Sequence, residues 1–170
     1  MSQPFLNDKA ELHRLIRFVT TDQEIRTGRT GHKSMSDFQN HPPQMAFEAL
    51  QNSPDAVLID CRTRAEWVYV GVPVLPEGGA QTAFIEWVNT AGMPNPDFLS
   101  QVNEVAGPQT AVYLLCRSAV RSASACQFLA ESGFEKLVNI TEGFEGDLGP
   151  ASQRACINGW KFRGLPWAQQ

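Results

Sequence analysis

Short unbroken apolar runs alternate along this chain with longer segments in which apolar side chains recur every three or four positions. Residues 56–60, 111–115 and 136–140 are the clearest runs. All three are expected to be strands, and the short apolar run at 56–60 is typical of a buried strand in a parallel sheet. A further strand is expected over 83–88. Pro42-Pro43 ahead of Met45-Ala46-Phe47-Glu48-Ala49-Leu50 predicts a short helix opened by proline. Residues 65–70 form a helical turn or short helix, and 73–79 a loop. Pro94-Asn95-Pro96-Asp97 opens a helix that runs to about Val105, with Asn95 as its cap. The residues after Cys116 predict a helix to Ser132, stopped by Gly133. The glycine- and tryptophan-rich stretch from Thr141 to Gln170 yields no clear element. Strands that alternate with helices in this way define an α/β fold with a mostly parallel sheet.

The first 36 residues form an extension. Asp8 is placed to cap a helix reaching Val19, with Leu12, Leu15, Ile16 and Val19 along one face. Residues 20–37 are polar, hold two glycines and are expected to be a linker. The main domain is expected over 37–167, with 168–170 as a tail.

Composition narrows the function. At 170 residues and 42% hydrophobic, the chain can bury a core without disulfide staples. A net charge of -4 leaves no global field to attract nucleic acid or an anionic membrane. No apolar stretch is long enough to span a bilayer, and Met1-Ser2-Gln3-Pro4-Phe5-Leu6-Asn7-Asp8 has no apolar signal segment, so the cytoplasm is the expected compartment. The four cysteines, Cys61, Cys116, Cys126 and Cys156, form no Cys-x-x-Cys pair, which argues against a zinc ribbon or a thioredoxin-type motif. All three histidines lie at or before residue 41, away from any cysteine that follows a strand.

Chemistry concentrates in Cys116-Arg117-Ser118-Ala119-Val120-Arg121-Ser122, between a strand and a helix. In a parallel sheet, sites form beyond the carboxyl ends of the strands. There the unpaired amides of a helix N-terminus and the charges of Arg117 and Arg121 favour an ionised sulfur, and the thiolate is the nucleophile. The strand 56–60 brings Asp60 and Arg62 to the same edge, where a charge pair would brace the loops. Arg121 has two candidate roles: aiming at an anion, or bracing the loop from outside. Cys61 is expected to be inert, with a resolving role as the alternative, and Cys126 to point into a helix–sheet contact. Trp160 and Trp167 are expected to cap the core. Glu142, Glu145 and Asp147 would repel an anionic donor if they face the pocket.

The Cys116-Arg117-Ser118-Ala119-Val120-Arg121 loop resembles the six-residue active-site loop of the rhodanese family of sulfurtransferases. Leu58-Ile59-Asp60-Cys61-Arg62-Thr63-Arg64-Ala65-Glu66-Trp67 is similar to the family's Asp-x-Arg segment. Val138-Asn139-Ile140-Thr141-Glu142-Gly143-Phe144 and Asn158-Gly159-Trp160-Lys161-Phe162-Arg163-Gly164-Leu165-Pro166-Trp167 resemble its closing segments. The similarity runs in order over residues 38–167. It implies a three-layer rhodanese-like fold, with a central, mostly parallel sheet flanked by helices. It also implies a reaction: Cys116 takes sulfur from a small anionic donor such as thiosulfate, and the loop from Arg117 through Ser118, Ala119 and Val120 to Arg121 holds the outer sulfur of the persulfide. A thiol or cyanide then accepts it, without metal or organic cofactor. Asp60 and Arg62 support the loops in this picture. The chain departs from the family in Gly71-Val72-Pro73, which lacks the histidine that many members carry after this glycine.

Two other functions fit the resemblance. A rhodanese-like module can serve as a binding domain or pass sulfur to or from a protein partner, for which the extension is a candidate docking arm. Small phosphatases and arsenate reductases share the fold, but their loop is one residue longer, Cys-x5-Arg. Only four residues separate Cys116 from Arg121, which favours sulfur over a phosphoryl group.

Overall fold

The computed structural model describes residues 38–169. The expected N-terminal helix and the linker after it lie outside them. In chain order the elements are β1 (Gln39–His41), α1 (Pro43–Gln51), β2 (Val57–Asp60), α2 (Arg64–Val70), β3 (Val72–Pro73), β4 (Gln81–Phe84), α3 (Phe98–Val105), β5 (Val112–Leu115), α4 (Val120–Glu131), β6 (Leu137–Ile140) and β7 (Trp167–Ala168).

Five strands form one sheet in the order β1-β6-β5-β2-β4, and every pairing in it is parallel. β2, β5 and β6 are buried at every residue, including the polar Asp60 and Asn139, as expected of strands covered on both faces. Alternate residues still face opposite layers. Ile59 and Leu114 pack with Phe98, Val102, Ala125 and Phe128 of α3 and α4. Leu58, Tyr113 and Leu115 pack on the other side with Ala46 and Leu50 of α1, and with Phe144 and Trp160. The result is the three-layer α/β fold, with a parallel sheet between helices.

Several local expectations change. The strand expected at 83–88 is Gln81–Phe84; beyond it, Ile85 N–H donates to the Asp60 carbonyl at 3.2 Å and Trp87 N–H to the Cys61 carbonyl at 3.2 Å. The apolar residues there are buried because the chain follows β2 out over the sheet edge, beyond the end of the β4 strand. Asn95 does not cap α3, which begins at Phe98. Its side chain accepts from Asp97 N–H at 3.1 Å and donates to the Glu86 carbonyl at 2.7 Å, pinning the loop ahead of the helix. Trp160 is fully buried, whereas Trp167 is 40% exposed and stacks over Lys161 Nζ at 3.7 Å. β7 pairs antiparallel with β3, the segment that departs from the family pattern. Gly71, just before β3, has φ of 97°, and a Cβ there would lie 2.6 Å from the Ala168 carbonyl oxygen, so this crossing requires glycine.

Candidate active site

Cys116 is the residue that follows β5, the middle strand of the sheet. The loop after it curls into α4 through Ala119, which sits at φ of 70° in the left-handed region. A non-glycine residue held there costs on the order of 1–2 kcal/mol, and such strain concentrates at functional sites. Among the described residues, the backbone N–H groups of Arg117, Ser118, Ala119, Val120 and Arg121 donate to no acceptor. Free amides at a helix N-terminus are suited to an anion.

The turn that follows β6 supports the loop from behind. Phe144 N–H donates to the Cys116 carbonyl at 2.8 Å, and Glu145 and Gly146 N–H donate to the Arg117 carbonyl at 3.0 and 3.1 Å. Gly143 makes this approach possible: at φ of 68°, any Cβ would lie 2.6 Å from the Cys116 and Arg117 carbonyl oxygens. The carbonyls are thus tied down while the amides of the same loop stay free.

Cys116 is 1% exposed. Burial alone would disfavour its ionisation, yet the thiol is held at about 6. The opposing causes are hydrogen bonding from the Cys61 thiol, the Arg121 charge, and the hydroxyl and amide of Ser122. Ser122 Oγ lies 3.3 Å from Cys116 Sγ and 2.7 Å from Asn139 Oδ1, and Asn139 Nδ2 donates in turn to Asn40 Oδ1 at 2.9 Å. The Arg117 side chain is exposed, so the nearer charge is that of Arg121.

The Arg121 side chain is bound by Glu66. Its Nη2 and Nη1 donate to Glu66 Oε1 and Oε2 at 2.6 and 2.9 Å. Glu66 is fixed by its own helix: it closes a capping box with Thr63 at the start of α2. Burial opposes its ionisation, but Arg121 and Thr63 bring its carboxyl down to about 2. The pair locks Arg121 beside Cys116 and partly neutralises its charge.

Asp60 and Arg62 form a wholly buried pair, with Arg62 Nε and Nη2 donating to the carboxylate at 2.9 and 2.6 Å. Nη2 also donates to the Gly71 carbonyl at 2.7 Å, and the guanidinium lies 4.1 Å over the Phe144 ring. The pair therefore ties β2, the start of β3 and the 141–147 segment together, without reaching Cys116. Of the acidic residues after β6, Glu142 and Asp147 are turned to other partners. Glu142 holds Arg163 at 2.8 Å and accepts from Gly159 N–H at 2.9 Å, and Asp147 accepts from Asn158 Nδ2 at 2.9 Å. Cys126 is buried between α4 and the sheet.

Glu66, Asn139 and Gly143 have no site role in the sequence analysis, and Ser122 enters it only as the last residue of the loop. For Glu66 a signal existed: a first-turn carboxylate on the helix after β2 lies at the same sheet edge as the Cys116 loop. Among the described residues, no group of three histidine, cysteine or acidic side chains could hold a metal. No helix among them is long and apolar enough to cross a membrane.

This chain belongs to the rhodanese-like domain family, whose model matches residues 44–148 and so spans Asp60, Arg62 and the whole Cys116 loop. It is 34% identical over 129 residues to an uncharacterized protein of Rickettsia conorii, covering 76% of this chain and 96% of that protein. It is 28% identical over 109 residues to the thiosulfate sulfurtransferase GlpE of Haemophilus influenzae, covering 64% of this chain and 87% of that enzyme. The crystal structure of Rv0390 from M. tuberculosis shares the fold with a TM-score of 0.71 at 37% identity, covering 78% of this chain and 98% of that one.

Proposed function

We propose that this protein is a sulfurtransferase in which Cys116 carries sulfane sulfur as a persulfide, from a small anionic donor of the thiosulfate type to a thiol or cyanide. One juxtaposition carries this reading: a thiol held at about 6 stands at the head of five amides that have no acceptor among the described residues. The Cys116 thiolate attacks the outer sulfur of thiosulfate, the S–S bond breaks, and sulfite leaves with the electron pair. The new persulfide terminates in an anionic sulfur, for which the free amides from Arg117 to Arg121, including those of Ser118, Ala119 and Val120, are the matching donors. The acceptor then attacks that sulfur, and Cys116 departs as a thiolate. A low thiol pKa makes it a good leaving group in this second step. Asp60 and Arg62 act as supports, holding the edge of the sheet on which the loop rests.

Similarity to a thiosulfate sulfurtransferase supports the reaction class, and a protein thiol is as suitable an acceptor as a small one. The free state of Cys61, Cys116, Cys126 and Cys156 fits a reducing, cytoplasmic setting.

Intact mass after incubation with thiosulfate tests the reading. Wild type gains one sulfur atom, cyanide removes it, and Cys116→Ser gains none, a loss of about a thousandfold or more in transfer rate. Hydrolysis of an aryl phosphate that depends on Cys116, with no sulfur gained from thiosulfate or a persulfide donor, would reverse it in favour of phosphoryl chemistry.

A further inference from the structure

Cys61 is the first residue past β2, as Cys116 is the first past β5. The two strands are hydrogen-bonded neighbours in register, with Ile59 opposite Leu114 and Asp60 opposite Leu115, and Cys61 N–H continues the ladder to the Leu115 carbonyl at 2.8 Å. The next opposed pair is therefore Cys61 and Cys116. Both belong to the same core cluster, at 0% and 1% exposure, and the Cys61 thiol is among the groups that favour the ionised Cys116 sulfur. Neighbouring strands run about 4.7–4.9 Å apart, inside the Cα separation that a disulfide spans.

We propose that Cys61 is an internal acceptor that discharges the Cys116 persulfide, releasing hydrogen sulfide and leaving a Cys61–Cys116 disulfide. The inference rests on the persulfide reading above. In the step, Cys61 sulfur attacks the inner sulfur of the persulfide. The Cys61–Cys116 S–S bond forms, and the bond to the outer sulfur breaks. The outer sulfur leaves with the electron pair and takes up the Cys61 proton, departing as HS−. Cys61 is oxidised and the outer sulfur reduced, so no outside oxidant is needed. A small thiol or a dithiol protein, by two exchanges, returns both cysteines to the reduced form. Burial holds the Cys61 thiol protonated, so discharge is slow while an external acceptor is present and accelerates as pH rises. A persulfide with no acceptor thus ends as sulfide and a closed site.

The test loads the full-length protein with thiosulfate or a low-molecular-weight persulfide, removes the donor without adding reductant, and follows intact mass and free sulfide. Wild type is expected to lose its extra sulfur and become two hydrogens lighter than the reduced protein. It releases one sulfide per chain, and peptide mapping joins Cys61 to Cys116. Cys61→Ser and Cys61→Ala, once loaded, keep the sulfur about tenfold longer or more, since only intermolecular routes remain. Two variants are used because this position is fully buried, and loading itself reports that each is folded. A wild-type persulfide that persists as long as the variants', or decays without the Cys61–Cys116 link, overturns the inference and leaves the sulfurtransferase reading standing. No sulfur on wild type or on either variant, from either donor, overturns both.

Discussion

Cys61 and Cys116 follow adjacent strands of one sheet, are shut away from water to the same degree and belong to one core cluster, yet their acidities diverge in opposite directions. Burial pushes the Cys61 thiol well above the ordinary cysteine range, and the neighbouring Cys116 adds to this. The same burial acts on Cys116, which is nevertheless held at about 6. What differs is the supply of donors. Cys116 stands where the chain turns into α4, within reach of the Ser122 amide and hydroxyl and beside Arg121, and it accepts from Cys61 itself. Cys61 stands where the chain runs on toward a helix whose first turn is already closed by the Thr63–Glu66 capping box. One thiol is thus spent in making the other reactive. The comparison shows that desolvation sets the cost of a buried thiolate, while the local direction of donors decides which of two equivalent positions meets it.

The largest change expected from breaking this arrangement is at the residues on either side of Cys61. Asp60→Asn leaves Arg62 as a fully buried cation with a weakened partner, and breaking a buried pair in this way costs about 3 kcal/mol or more. Urea denaturation should show a lower midpoint with an unchanged slope. In native conditions Cys61, inaccessible in the wild type, should become open to alkylation, since the end of β2 loses its anchor. If the midpoint does not move, the pair is not what fixes Cys61 in place.

Next comes the charge. Reaction of Cys116 with an alkylating agent follows the thiolate, so in wild type the rate rises with pH through about 6 and is level above it. Arg121→Met removes the favourable charge, and the rise should move to higher pH, slowing alkylation about tenfold near neutrality. Glu66→Gln is the counterpart with the opposite sign: it keeps an acceptor for the capping box but releases Arg121 from neutralisation, and the rise should stay or move lower. A profile for Arg121→Met that superimposes on wild type would assign the ionisation to the hydrogen bonds alone.

The parts of this arrangement that sequence pattern conveys are those set by one continuous stretch of chain. The runs that became β2, β5 and β6 are mostly apolar, with Asp60 and Asn139 the charged or amide exceptions, and the spacing of Cys116 and Arg121 on a strand-to-helix turn needs no tertiary knowledge to interpret. What pattern could not convey is joined across the chain. Glu66 and Arg121 are 55 residues apart and meet only because β2 and β5 are neighbours. β1, β3 and β7 are two or three residues long, and pairing with a partner strand rather than intrinsic preference makes them strands. Gly143 matters because two carbonyls approach it, and Asn95 was expected at a helix cap but is held by the loop beside it. The strand-to-helix turn and Arg121 single out Cys116 in sequence, but the neighbourhood of Cys61 and Cys116 is of this second kind, since it arises only from the pairing of β2 with β5.

The smallest effect should come from Ser122, whose hydroxyl has one hydrogen and three acceptors: Cys116 Sγ at 3.3 Å, the Ala119 carbonyl at 3.1 Å and Asn139 Oδ1 at 2.7 Å. The Asn139 contact is the shortest, so the hydroxyl is shared and gives only part of its strength to the thiolate. Ser122→Ala removes that part and leaves the Ser122 amide, Cys61 and Arg121 in place. The alkylation profile should therefore rise at slightly higher pH, with the rate about twofold lower near pH 6 and nearly unchanged at neutrality, where the thiol stays mostly ionised. Stability should fall by about 1–2 kcal/mol, because Asn139 Oδ1 is left buried without its donor. A shift as large as that of Arg121→Met would place the hydroxyl, rather than the guanidinium, first among the donors that separate Cys116 from Cys61.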